Sequence, residues 1–180
     1  RALPPKRLTA AIVNQWRKDD EEVLLLKIEK TAARLPVAVR RYLDSEAGQA
    51  ARTAYKCRVR EPWYSVPDVQ VPNFFLSYMS GLEPSLVRND AGCTCTNSVH
   101  GVRIRPGIDT SSLHNWTSPF TRLSCEIEGH PLGGGMLKLE PREAARIALP
   151  PPSLINKVNA SVVENALSTM REWRHYARAH

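Results

Sequence analysis

Between Tyr55 and His100 the 180-residue chain gathers cations, aromatics and side-chain amides into short segments. Lys56, Arg58 and Arg60 alternate with Tyr55, Cys57 and Val59, and Trp63-Tyr64 follow between Pro62 and Pro67. Arg88-Asn89, Asn97 and His100 come further along. Guanidinium and ammonium groups hold phosphate oxygens, asparagine can pair bidentately with adenine and arginine with guanine, and aromatic rings stack on bases. Such a set suits binding and reading a nucleic acid. A second stretch, Gly133-Gly134-Gly135-Met136-Leu137-Lys138-Leu139-Glu140-Pro141, adds Lys138 to the candidate contacts.

Each of these residues has a plainer role open to it. An asparagine at a strand end caps a turn, Trp63 and Tyr64 suit a core, and a cationic row suits a solvated face. The glycine triplet either brings backbone close to a phosphate or makes a tight turn. It precedes a strand, whereas nucleotide-binding glycine loops follow a strand and open a helix.

Catalytic chemistry has little local support. No G-x-G-x-x-G, phosphate loop, G-x-S-x-G or H-E-x-x-H pattern occurs in the sequence. The cysteines are Cys57, Cys93, Cys95 and Cys125; Cys93-Thr94-Cys95 is not the C-x-x-C of a zinc ribbon, although His100 lies near enough to complete a metal set. They read more simply as reduced, small apolar residues of a cytosolic protein. A Cys/His enzyme stands as a third functional class behind nucleic-acid recognition and protein interaction.

The net charge of +7 favours a polyanionic partner. The apolar fraction of 42% is that of a folded chain long enough to bury a core without disulfides or metals. No window approaches the roughly 18 apolar residues of a membrane span, and Arg1–Ala10 holds no signal-like apolar run. The first residue is arginine rather than methionine, as expected of a piece of something longer or of a processed product.

The elements that must position the candidates follow from periodicity and breakers. Residues 8–18 predict a helix with Leu8, Ile12, Val13 and Trp16 on one face, then a solvated acidic turn. Val23–Ile28 predicts a short buried strand, and Pro36 opens a helix that ends near Gly48. From Tyr55 to Arg60 the alternation predicts a strand with three cations on one face. The proline-bracketed Trp63-Tyr64 would sit on an extended loop. Further strands are expected over Phe74–Met79, Leu86–Asn89, Val99–Arg105 and Met136–Leu139. A helix over Ser112–Glu128 should break at Pro119, and another should run from Pro141 to Ile147. After the linker Pro150-Pro151-Pro152, a capping box at Ser161 and Glu164 starts a last helix reaching about residue 178. Its apolar stripe would be Val163, Leu167, Met170 and Trp173, and its outer face Arg171, Arg174, His175 and Arg178. This order argues for an α+β fold: a small mixed or antiparallel sheet of short strands, flanking helices and a C-terminal helix. The expected division is a domain over 1–150 and a helical appendage over 151–180.

Four of these pieces recur together in one family. Arg58-x-Arg60-x-Pro62-Trp63-Tyr64, Arg88-Asn89, Thr96-Asn97-x-x-His100 and Gly133-Gly134-Gly135-x-Leu137-Lys138-Leu139-x-Pro141-x-Glu143 occur in this order. Over roughly residues 23–150 the chain resembles the C-terminal target-recognition region of gamma-class adenine-specific DNA methyltransferases of bacterial restriction–modification systems. Gly129-His130-Pro131-Leu132 departs from the family's usual Gly-Arg-x-Tyr. The resemblance implies a cytoplasmic bacterial protein whose partners are double-stranded DNA and an N-terminal methyltransferase domain of the same chain. That domain would use S-adenosylmethionine to methylate a flipped adenine. The cofactor glycine motif and the Asn/Asp-Pro-Pro-Tyr/Phe motif are absent from this stretch, so it would recognise DNA and do no chemistry. The expected contacts are Lys56, Arg58, Arg60, Trp63, Tyr64, Arg88, Asn89, Asn97, His100 and Lys138. The alternative is a basic protein-interaction module.

Overall fold

A computed structural model describes residues 9–28, 30, 34–66 and 69–174. Leu8, Pro67, His175 and Arg178, which carried parts of the reading above, lie outside them. The chain divides into two compact units, one formed by residues 16–70 and the other by residues 71–174 together with 9–15. The architecture is α+β, with eight helices and two three-stranded antiparallel sheets among the described residues.

The first unit is helical. After α1 (Ala10–Lys18), the run Val23–Ile28 pairs with no strand; Ile28 is buried, while Leu24 is 82% exposed. The expected strand fails because a short apolar run becomes a strand only beside a partner edge, and no strand lies among the described residues of this unit. Helix α2 (Val37–Asp44) buries Leu43 and stops at Ser45, whose hydroxyl accepts the Gly48 amide at 3.3 Å and so caps α3 (Glu46–Arg52). Gly48 therefore lies inside a second helix and does not end the first.

Tyr55–Arg58 is α4, not a strand. Alanines at 47, 50, 51 and 54 favour helix on its N-terminal side. The alternation that suggested a strand had no neighbouring strand to bury its apolar face. Pro62 to Ser65 is a turn closed by the Ser65 amide on the Pro62 carbonyl at 3.0 Å, so Trp63 and Tyr64 are its central residues rather than part of an extended loop.

The second unit holds the sheets. The expected strand over Phe74–Met79 splits at Tyr78 into β1 (Phe74–Ser77) and β2 (Met79–Ser80). Strand β1 is the centre of one sheet, flanked by β3 (Leu86–Arg88) and β4 (Val99–Val102). Strand β2 joins the other sheet beside β6 (Met136–Lys138), which also pairs β5 (His130–Leu132). Arg103 to Arg105 lie beyond the end of β4.

Pro119 interrupts the next helical stretch as expected, with Ser111–Asn115 forming a 3-10 turn and Pro119 occupying the first turn of α5 (Pro119–Glu128). Ser118 caps α5 by accepting the Thr121 amide at 3.3 Å. The break resets the helical phase: Thr121, Cys125 and Glu126 are buried, and Ile127 is 61% exposed. At the end of α5 a Cβ on Gly129 would lie 2.9 Å from both Leu137 Cδ1 and the Lys138 carbonyl oxygen. Glycine there lets β6 approach the helix.

Helix α6 is shorter than expected (Pro141–Ala144), and Pro152–Ile155 is α7 rather than linker. Helix α8 (Ala160–Arg174) is capped by Asn159, whose Oδ1 accepts the Val162 amide at 3.3 Å and the Ser161 hydroxyl at 2.8 Å. Ser161 is thus not the cap. Helix α8 packs mainly on α5. Its inward stripe is Val163, Leu167, Met170 and Arg174, a spacing of four, three and four, with Leu167 and Arg174 buried and Val163 and Met170 half-buried, and Trp173 is 71% exposed. Phe75, Leu76, Leu137, Leu139 and Leu167 form the core of this unit. No described helix is long and apolar enough to cross a membrane.

Candidate nucleic-acid interface

The candidate residues divide between the units. In the first, Lys56 and Arg58 lie on α4 and are exposed, while Arg60 follows the helix and is half-buried. In a strand these three would share a face; in a helix, positions two apart lie about 200° apart around the axis, so Lys56 and Arg58 diverge. Among the described residues no ion pair engages any of the three. Trp63 and Tyr64 meet edge to face at 5.8 Å between ring centroids, and the Arg52 guanidinium lies 6.0 Å from the Trp63 ring. Both rings are half-buried.

In the second unit, strand register places Arg88 and His100 on one face. Arg88 is opposite Phe74, and His100 is opposite Leu76, two residues along the same strand. Arg88 is largely exposed and pairs with Asp90 at 2.9 Å. Asn89 spends its amide within the protein: Nδ2 donates to the carbonyls of Pro72 and Cys93, each at 2.8 Å, and Oδ1 accepts the Cys93 amide at 3.0 Å. Both of its donors and one lone pair are occupied, so it shapes the loop over 89–93. Asn97 is exposed on the following loop, and its amide bonds to no other described residue.

His100 and Lys138 join one polar cluster. His100 Nε2–H donates to the Leu139 carbonyl at 2.7 Å, and its ring meets Tyr78 edge to face at 5.2 Å. Lys138 Nζ lies 2.5 Å from Glu140 Oε1 and 5.2 Å from the Tyr78 ring centroid. The Tyr78 hydroxyl donates to the same Glu140 oxygen at 2.9 Å. The hydrogen bond to Glu140 holds the Lys138 ammonium above the ordinary lysine range, and the same bond lowers the Glu140 carboxyl. Glu143 is lowered chiefly by the Glu140 amide, 2.7 Å from Oε2, and then by His130, whose Nδ1 lies 3.0 Å from Oε1.

Gly133–Gly135 connects β5 to β6, with Gly134 and Gly135 at φ +73°. Of the two readings open for this triplet, the tight turn is the one present. The Gly135 carbonyl accepts from Arg174 Nη1. Arg174 is itself a residue that sequence reasoning put on the solvent face. All five of its donors are used: Nε and Nη2 reach the two Glu126 oxygens at 2.8 Å each, Nη2 also reaches the Leu82 carbonyl at 3.0 Å, and Nη1 reaches those of Gly81 at 3.0 Å and Gly135. Arg171 extends the network to Glu83 at 3.3 Å, and Arg122 reaches the same Glu83 oxygen at 2.9 Å. The signal was available in the spacing, since Arg174 follows Met170 by four. Tyr78, Glu140 and Asn73 were missed because their roles depend on partners far along the chain.

Burial raises the thiols of Cys93 and Cys95 and pushes Cys125 up to about 12, so these cysteines are held as thiols, away from the nucleophilic form. Among the described residues no group of three or more His, Cys, Asp and Glu side chains gathers to hold a metal ion. The glycine triplet joins two strands and does not open a helix as nucleotide-binding glycine loops do.

The family described as type II methyltransferase M.Eco57I, C-terminal domain, matches residues 1–179. The chain therefore belongs to that family and is the C-terminal domain of a type II DNA methyltransferase. No curated protein and no solved structure matches it.

Proposed function

We propose that this domain recognises the DNA target of an adenine-specific methyltransferase and holds the duplex while a separate catalytic domain of the same chain methylates a flipped adenine with S-adenosylmethionine. The observation that carries the reading is the contrast between spent and unspent groups. Lys56, Arg58 and Arg60 have no acidic partner among the described residues, Asn97 offers a free exposed amide, and Arg88 has only an exposed partner. These five are the direct contacts, the cations to phosphates and Asn97 to a base edge. Asn89, His100 and Lys138 act by shaping the loops and strands that present them, and Trp63 and Tyr64 shape the surface beside α4.

The test is DNA binding by the full-length methyltransferase across a salt series. Arg58→Ala with Arg60→Ala should weaken binding and reduce the slope of log affinity on log salt by roughly 0.9 per lost contact. An unchanged slope would remove Arg58 and Arg60 from the interface.

One observation favours a second reading, a protein-interaction module: Leu24, Leu25 and Leu26 are 82%, 53% and 43% exposed in sequence. Association with a protein partner that persists without DNA and is lost on Leu24→Asp, in a chain whose DNA binding shows no salt dependence, would select it.

A further inference from the structure

We propose that Arg88, Arg103 and Arg105 form an anion-binding edge that takes the phosphodiester groups of duplex DNA, with Asn73 organising it and Asp90 serving as the internal counter-charge that DNA displaces. This rests on the DNA-recognition reading above and adds a surface to it. Asn73 commits three atoms to two separate segments. Its amide donates to the Val102 carbonyl at 2.9 Å, its carbonyl accepts the Asn89 amide at 2.9 Å, and its Oδ1 accepts the Ile104 amide at 2.8 Å. Each arginine is thus next in the chain to a residue tied to Asn73: Arg88 precedes Asn89, Arg103 lies between Val102 and Ile104, and Arg105 follows Ile104.

Register sets the two backbones side by side: Arg88 shares its face with Val102, and Arg103 and Arg105 lie past the end of β4, where the alternation of the sheet no longer fixes their direction. Arg88 and Val102 both lie opposite Phe74 on the central strand, so two strand spacings, about 10 Å, separate their backbones. The segment after β4 leaves the sheet but is held by the Asn73 side chain, so its arginines project from an anchored backbone. Arg103 and Arg105 are exposed and have no acidic partner among the described residues.

The acids nearby are accounted for. Asp109 accepts the Ser111 amide at 2.8 Å and the Ser111 hydroxyl at 2.5 Å. Asp90 pairs with Arg88 at 2.9 Å, with the two side chains 68% and 76% exposed. An exposed ion pair of this kind is weak, and a phosphodiester carries the same single negative charge and can likewise accept two guanidinium hydrogen bonds.

The experiment measures binding of a fluorescein-labelled duplex by the full-length methyltransferase over a potassium chloride series. Arg103→Ala with Arg105→Ala should lower the salt slope by about 1.8 and weaken binding about tenfold or more at moderate salt. Arg103→Lys with Arg105→Lys should keep the slope, and Asp90→Asn should tighten binding severalfold. Arg146→Ala, which removes an exposed cation elsewhere in the unit, should leave the slope unchanged. Unaltered melting temperatures establish that the variants are folded. If Arg58→Ala/Arg60→Ala flattens the slope while Arg103→Ala/Arg105→Ala does not, the edge is wrong and the recognition reading stands. If neither does, both fall. A slope lost in the arginine pair with unchanged affinity for Asp90→Asn would overturn the displacement part.

Discussion

Arg174 and Glu126, 48 positions apart in the chain, form a two-pronged ion pair, 2.8 Å on each side, with both side chains only 3% exposed. The guanidinium also satisfies the carbonyls of Gly81, Leu82 and Gly135, so a single side chain joins helix α8 to the loop after β2 and to the turn between β5 and β6.

Removing one partner leaves a buried charge unpaired. Glu126→Ala should cost about 3–5 kcal/mol of unfolding free energy in urea titrations. A double apolar replacement, Arg174→Met with Glu126→Leu, tests whether the carbonyls matter. A simple buried pair would tolerate it, as such swaps are often neutral. Here the double variant should remain destabilised because the buried Gly135 carbonyl and the part-buried carbonyls of Gly81 and Leu82 lose their donor.

Asn89 and Asn97 should separate stability from selectivity. Asn89→Ala breaks three hydrogen bonds around the loop over 89–93 and should lower stability by about 1–3 kcal/mol in thermal or urea unfolding. Asn97→Ala should change stability by less than about 0.5 kcal/mol. It should also cost about 1–3 kcal/mol of discrimination at one base pair in competition binding. Loss of stability in Asn97→Ala without loss of discrimination would reverse the assignment.

Gly48 is a helix glycine at which alanine should harm. The ordinary gain of alanine over glycine inside a helix is about 1 kcal/mol. A Cβ at 48 would sit 2.5 Å from the carbonyl oxygens of both Tyr42 and Leu43. Those are backbone atoms at the end of α2, so the two helices would have to separate. Gly48→Ala should therefore destabilise by about 1–3 kcal/mol, read as a lower melting temperature.

The acid limb of stability should reflect the start of α6. Glu143 is lowered from its ordinary 4.5 by the Glu140 amide and by His130. A carboxyl depressed in the folded state contributes stability that is present above about pH 4.5 and lost as pH falls through its folded value. Stability measured against pH should drop in that window, and Glu143→Gln should flatten the drop. An unchanged profile would mean that the carboxylate contributes nothing to folding.

Legibility followed the range of the interaction. Pro119 and Gly129 mark the start and end of α5 because their effects are local: a missing amide, a missing side chain. The strands Leu86–Arg88 and Met136–Lys138 lie where alternation and breakers put them. Ser118 capped as its type suggests, whereas Ser161 yielded to Asn159, two residues earlier, because either side chain can close the same turn.

By itself the amino-acid sequence determined the α+β class, the places of several elements and the family, since these rest on periodicity, breakers and ordered local motifs. Only the tertiary structure decided which candidates keep unspent hydrogen-bonding groups. Asn89 and Asn97 are the same residue type in similar surroundings in the chain, but one amide is consumed by Pro72 and Cys93 and the other is not. Tyr55–Arg60 alternated like a strand and became a helix because no strand edge was at hand to pair it. Arg174 read as solvent-facing and became the most fully bonded side chain described, because Glu126 and three carbonyls converge on it from distant parts of the chain. Spent and unspent hydrogen-bonding capacity depends on partners brought together by folding, and no local pattern encodes it.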